Sequence, residues 1–262
     1  MLAKILVLFS TLMAVVASSV FSQPLSNSPP LPVVIAVEDR DQFDAGSEAF
    51  KKQDFNEAIR LWTPLAEKGN RHAQFNLGTI YADGEGILKD YKKAASLFRK
   101  AADQGLPEAQ VSLGNLYFEG QGVPTNQAVG VEWFRKAAEQ GDADAQHNLA
   151  VAAFQGAGLP KDDMVAAQWF LKAAENGRSV DQGIIAMRYS VGRGVPQDDV
   201  AAYKWFTIYA ANPGTSTEER SQAAVVLQAI ATALTSEQIA FAKREAETWQ
   251  PPSQFLAQKS SQ

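Results

Sequence analysis

Apolar residues recur along the chain at spacings of three and four. Ala73, Leu77 and Tyr81 fall four apart, and the same step returns in Ala109, Leu113 and Tyr117 and again in Ala145, Leu149 and Ala153. Residues four apart lie on one side of an α-helix, so each set predicts a helix with one buried face. A second stripe follows, Ala94, Leu97, Phe98 and Ala101 and later Ala166, Trp169, Phe170 and Ala173, spaced i, i+3, i+4, i+7. Each copy thus predicts a pair of helices.

Glycine punctuates the pairs. Gly69, Gly105, Gly141 and Gly177 stand 36 residues apart, a period at which self-similar helix pairs stack into a solenoid. Within each copy a paired-glycine loop follows the first helix: "GEGILKD", "GQGVPTN", "GAGLPKD" and "GRGVPQD". Its leading glycine suits a left-handed helix terminus, Pro124, Pro160 and Pro196 bar continuation, and Asp90, Asn126, Asp162 and Asp198 are placed to cap the next helix. The loops follow helices and lack a Lys-Ser/Thr, so they do not fit a phosphate cradle. The residue after each central Leu is small (Gly78, Gly114, Ala150), with Ala186 after Ile185, which predicts a close neighbour there.

The fold expected is all-α: an α/α superhelical solenoid with a capping helix pair at 41–68, repeats at 69–104, 105–140, 141–176 and 177–212, capping helices at 213–250 and a tail at 251–262. The fourth repeat is degenerate, with Asp181 and Tyr209 where the others carry Ala. The last capping helix opens on a Thr235-to-Gln238 capping box, and Lys243, Arg244, Glu245 and Glu247 are expected to face solvent.

Ahead of the repeats, Lys4 precedes an apolar run from Ile5 to Val16 and then small residues. This is the layout of a secretory signal peptide over 1–22, cleaved after Ala17 or Ser22; an uncleaved anchor is the alternative, though the run is short for a bilayer. A disordered leader is expected over 23–40, and the mature chain is expected in the periplasm or secreted, without stable membrane insertion. The chain has no Cys, which removes disulfides, thiolate chemistry and lipid attachment at a processed cysteine. Its 29 acidic against 24 basic residues offer no basic excess to displace phosphate counterions, so no nucleic-acid partner is expected.

The pattern resembles the Sel1-like repeat family, a relative of the tetratricopeptide repeat. The residues carrying the likeness read "AQVSLGNLYFEGQGVP" and "VEWFRKAAEQG" in the second copy. The resemblance implies a superhelix that binds other proteins; bacterial members often carry signal peptides and serve in envelope or signalling complexes. A few cysteine-rich relatives are linked to β-lactam hydrolysis and depend on a disulfide in every repeat, so that activity does not carry over to a chain without Cys.

Candidate chemistry is sparse. The two histidines, His72 and His147, occupy non-equivalent positions, no HExxH or G-x-S-x-G run occurs, and the Asp162-Asp163 and Asp198-Asp199 pairs sit where helix caps belong. No metal or cofactor is expected. The expected function is a non-enzymatic scaffold of the bacterial envelope that binds another protein or peptide; the alternatives are an envelope hydrolase or a cell-wall-fragment sensor. The candidate binding residues lie opposite the Ala-Leu-Tyr stripe: Phe75, Thr79, Asn115, Phe118, His147, Val151, Phe154 and Met187. Either this column faces a concave groove, where apolar exposure marks an interaction site, or curvature buries its aromatics between repeats. The glutamines Gln74, Gln110, Gln146 and Gln182, one per copy, are expected to make structural hydrogen bonds because specificity residues vary.

Overall fold

The computed structural model describes residues 37–252. The expected signal peptide, the leader up to residue 36 and the tail from residue 253 lie outside the described residues. Among the described residues there are twelve helices and no strand. They fall into two compact units that part between residues 140 and 141. The first holds α1 (Val37–Lys51), α2 (Phe55–Glu67), α3 (Arg71–Asp83), α4 (Tyr91–Asp103), α5 (Pro107–Glu119) and α6 (Gln127–Glu139). The second holds α7 (Ala143–Gln155), α8 (Asp163–Glu175), α9 (Ser179–Val191), α10 (Asp199–Ala211), α11 (Thr217–Ala231) and α12 (Ser236–Thr248). Within each unit every helix packs on the next through α6 and through α10, and α10 carries both α11 and α12.

One boundary needs correction. α1 begins at Val37, inside the segment expected to be disordered. It is fixed because Phe43 lies against Trp62, with ring centres 5.9 Å apart, Gln42 donates to the Leu61 carbonyl at 2.8 Å and Asp39 pairs with Lys68 at 2.6 Å. The pair α1–α2 has no paired-glycine loop; Gln53 alone takes the left-handed conformation there, at φ 63°.

The eight repeat helices are each 13 residues long. Asp90, Asn126, Asp162 and Asp198 cap the second helices, their carboxylate or amide oxygens accepting first-turn backbone N–H groups. The two glycines of each loop have different tasks. The first (Gly84, Gly120, Gly156, Gly192) ends the first helix in the left-handed conformation, its N–H bonded four residues back. The second is also left-handed, and in two repeats it lies against the preceding repeat: a Cβ on Gly122 would fall on the Tyr91 carbonyl, and one on Gly194 on the Asp163 carbonyl. Tyr91 and Asp163 each open a second helix, so in these two cases the loop sits on the helix start of the repeat before.

The small residue after the central Leu makes room for a ring. A Cβ on Gly78 would stand 2.6 Å from Phe98 and one on Gly114 would collide with Phe134. Backbone also comes near at Gly114, where the Gly130 carbonyl would be 3.2 Å away. The fourth repeat reverses this economy. Gly183 stands where the first repeat has Phe75, and the ring of Tyr209 fills the space, 3.4 Å from where a Gly183 Cβ would be.

The recurring glutamines hold three helices together. Gln74 donates to the Ala66 carbonyl at 2.9 Å and accepts from Gln104 at 2.8 Å; Gln110 donates to Ala102 at 3.1 Å and accepts from Gln140 at 2.8 Å. In the second unit Gln182 repeats the pattern with Ala174 and Asn212, and Asn176 donates to Gln146. Each acceptor carbonyl lies in the last turn of the preceding helix and also accepts the N–H of the marker glycine (Gly69, Gly105 or Gly177), so the amide adds a second bond to it. A buried amide with both ends bonded has its desolvation cost offset by those bonds and fixes the register of its neighbours.

The C-terminal helices both start with full capping boxes, Ser216 with Glu219 and Thr235 with Gln238. Lys243, Arg244, Glu245 and Glu247 face solvent, yet so do Val225 and Phe241, so the outer surface of these two helices is mixed.

Candidate interaction face

The eight residues expected to line a groove have unequal fates. In the first unit Phe75 and Thr79 on α3 and Asn115 and Phe118 on α5 are all half-buried. The Phe75 ring leans on Phe98 (5.7 Å between centres), and the Thr79 hydroxyl donates to the Phe75 carbonyl at 3.2 Å. Phe118 lies across Gly130 and tilts against Phe134 at 5.2 Å. Gly130 stands where the other repeats have Ala94, Ala166 and Ala202, so the missing methyl is what admits the ring. These aromatics bind their own repeat with one side and keep the other partly open.

In the second unit only Phe154 reaches the surface. His147, Val151 and Met187 are buried and have no surface to offer a partner. The cause is that α7 is buried all round from Ala145 to Ala153 and α9 from Asp181 to Arg188. A helix without a solvated side has no opposite face to present.

His147 belongs instead to a buried charge cluster. Its Nδ1 lies 2.8 Å from Asp181 Oδ1 and 3.1 Å from Oδ2, with His147 3% and Asp181 0% exposed. Arg178 Nε is 2.9 Å from the other side of the same carboxylate, though its N–H does not point along the contact, and Arg178 Nη1 reaches Asp144. Asp181 is the third residue of α9, where the helix dipole favours a negative charge. A His–carboxylate pair is also the orienting half of a nucleophilic triad. Here the imidazole is shut away from solvent and packs edge-on against Phe170 at 5.9 Å, so the pair joins α7 to α9 and presents no base to a substrate. The sequence held the signal: two departures from the repeat pattern, His147 and Asp181, 34 residues apart.

Phe154 has charged company. The guanidinium of Arg188 lies between two rings, 5.4 Å from the centre of Phe154 and 4.9 Å from that of Phe170. Arg188 is 1% exposed, and its Nη1 donates to the carbonyls of Arg193 at 3.2 Å and Asp163 at 3.4 Å. Burial pulls its pKa down to about 10, partly opposed by the Asp163 carboxylate, so it stays charged at neutral pH. Arg193 stands 4.8 Å and the Lys161 ammonium 5.8 Å from the Phe154 ring.

Elsewhere, Lys136 and Lys172 lie over the rings of Trp133 and Trp169 at 3.8 and 4.2 Å, one equivalent pair per unit. Among the described residues no three His, Cys, Asp or Glu side chains gather as a metal site, and no helix is long and apolar enough to cross a membrane. Among the described residues no catalytic domain is seen.

The Sel1 repeat matches at residues 45–70, 71–106, 107–142, 143–177 and 183–212. Among solved structures, the protective antigen c5321 of uropathogenic Escherichia coli, which displays an SLR fold, is similar at 32% identity and a TM-score of 0.67, over 84% of this chain and 48% of that one. This chain thus spans about half the length of that antigen. A Sel1 repeat protein from Oxalobacter formigenes is similar at 27% identity and a TM-score of 0.65, over 79% of this chain and 85% of its own. No curated protein matches. Paired-glycine loops, capped 13-residue helix pairs and five matching segments place this chain in the Sel1 repeat family, as a helical solenoid of the kind that typically serves as a protein-interaction scaffold.

Proposed function

We propose that the chain is a non-enzymatic scaffold that binds another protein or peptide through the half-exposed residues of its first helices, on what the repeat pattern makes the concave side. One observation carries this reading. On α3 and α5 the residues that recur between copies (Ala73, Gln74 and Leu77; Ala109, Gln110 and Leu113) are buried, while Phe75, Thr79, Asn115 and Phe118 keep surface. Recurrence serves the fold, and variable side chains with surface are free to serve a partner.

The test is a photocrosslinking amino acid at Thr79 or Asn115, compared with one at exposed Glu132 on a second helix. Crosslinks to one discrete partner in native-host extract are expected from the first two and not from Glu132. Partner capture from Glu132 alone would overturn the assignment.

We further propose that the mature protein works in the periplasm or outside the cell. Lys4, the apolar run from Ile5 to Val16 and the small residues that follow support this. N-terminal sequencing of protein from the native host should begin at Ser18 or Gln23; an intact Met1 would contradict it.

A further inference from the structure

The first helix of the first unit and the last helix of the second differ in what they show to water. Apart from Ala45, the exposed side of α1 is charged: Arg40, Asp41, Asp44, Glu48 and Lys51. That is the usual outer face of a capping repeat. On α12 the side turned away from buried Ala242 carries Glu237, Ala240, Phe241 and Arg244, all exposed. Phe241 keeps 50% of its surface, although it stands in the middle of a well-formed, fully capped helix.

The order of these four residues is symmetric. Glu237 and Arg244 are seven residues apart and so stand within about 20° of one another around the helix. Their midpoint falls between Ala240 and Phe241. Two such helices laid antiparallel about that midpoint meet in register. Glu237 of each faces Arg244 of the other, and each Phe241 ring lies on the other's Ala240, whose small methyl lets the two axes come close. A parallel pair would set like charges against each other. Among the described residues the ion pairs of α12 reach only Glu245, held by Lys204 at 3.4 Å.

We propose that the outer face of α12 binds a second copy of this chain, as an antiparallel helix pair with its two-fold axis between Ala240 and Phe241. The occupant follows from the pattern. One helix holds both halves of the contact at equal distances from its apolar centre, which an isologous interface requires and an unlike partner does not. Area sets the strength: one helix face covers less than the about 800 Å² per partner of a standard interface, so the dimer is weak and reversible. Thr79 and Asn115 lie on other helices, so the dimer neither needs the scaffold reading nor competes with it.

Sedimentation velocity of the full chain, purified from the native host, is run from about 5 to about 500 µM, where a contact of this size should pass from monomer to dimer. Phe241→Ser should weaken the dimer about tenfold, as the loss of a central aromatic anchor. Glu237→Arg or Arg244→Glu alone creates two like-charge meetings and should also weaken it about tenfold. Both reversals in one chain should restore it, and an equal mixture of the two single variants should form the mixed dimer. All three side chains are exposed, so the circular dichroism melts should not change; if that of Phe241→Ser falls, the charge reversals carry the test. A chain monomeric at the highest concentration, a dimer indifferent to Phe241→Ser in a folded variant, or a double reversal no tighter than the single ones overturns the proposal. Dimerisation only after removal of residues 253–262 assigns the face to the chain's own tail and overturns it too.

Discussion

Replacing Gly122 with Ala should destabilise the protein by about 3 kcal/mol or more, whereas the same change at Gly105 should cost only about 1 kcal/mol. Both glycines are left-handed, at φ 70° and 82°, so both variants bear the strain of an L-residue there. The difference is what the new methyl meets. Around Gly105 nothing lies within 4 Å, while a Cβ on Gly122 lands on the Tyr91 carbonyl and within 2.7 Å of the Lys92 nitrogen. Those atoms are helical backbone at the start of α4, which cannot yield without losing its first turn. Gly194→Ala against the Asp163 carbonyl should behave like Gly122→Ala. Urea denaturation of the variants checks the ranking. Equal losses at Gly105 and Gly122 would mean that the second loop glycine is kept for its conformation alone.

The second large effect is expected at Asp181. Asp181→Ala should cost about 3 kcal/mol, because it strips His147 and Arg178 of the carboxylate they share in a buried place. The chain itself argues that shape is not the cause: Ala73, Ala109 and Ala145 occupy the equivalent position in the other repeats. Adding His147→Val, the residue type found at the equivalent Val111, should return at least half of the loss, with a coupling of about 2 kcal/mol in a double-mutant cycle. Arg178 then still has Asp144 to pair with. Additive single effects in denaturation would show that the imidazole and the carboxylate do not support one another.

What could be read from the sequence was what local chemistry decides. The caps at Asp90, Asn126, Asp162 and Asp198, the left-handed glycines and the paired stripes depend on residues within a turn or two, and each stands where the pattern put it. The groove column was harder, since it rested on assigning α7 and α9 an outer face. The run from Ala145 to Ala153 is rich in alanine and has no charged residue, the composition of a helix packed on every side. That feature could have warned against Val151, though not against Met187, whose buried run is bounded by Asp181 and Arg188. The charge cluster obeys a rule visible only once copies are superposed: both His147 with Asp181 and Arg178 with Asp144 pair residues 34 positions apart. The start of α1 lies four residues ahead of the expected boundary, because Asp39 finds its partner only in Lys68, at the far end of the next helix.

The role of Phe118 also changes how binding must be probed. Because its ring fills the space over Gly130, a polar substitution there would disturb the repeat as well as any partner contact. Thr79 and Asn115 are the cleaner probes. The comparison of a photocrosslinker at Thr79 with one at Glu132 therefore tests most directly whether the partner is bound by first-helix residues and not by exposed residues of the second helices. A single discrete partner captured from Thr79 and none from Glu132 is the predicted result; capture through Glu132 with Thr79 silent would contradict it.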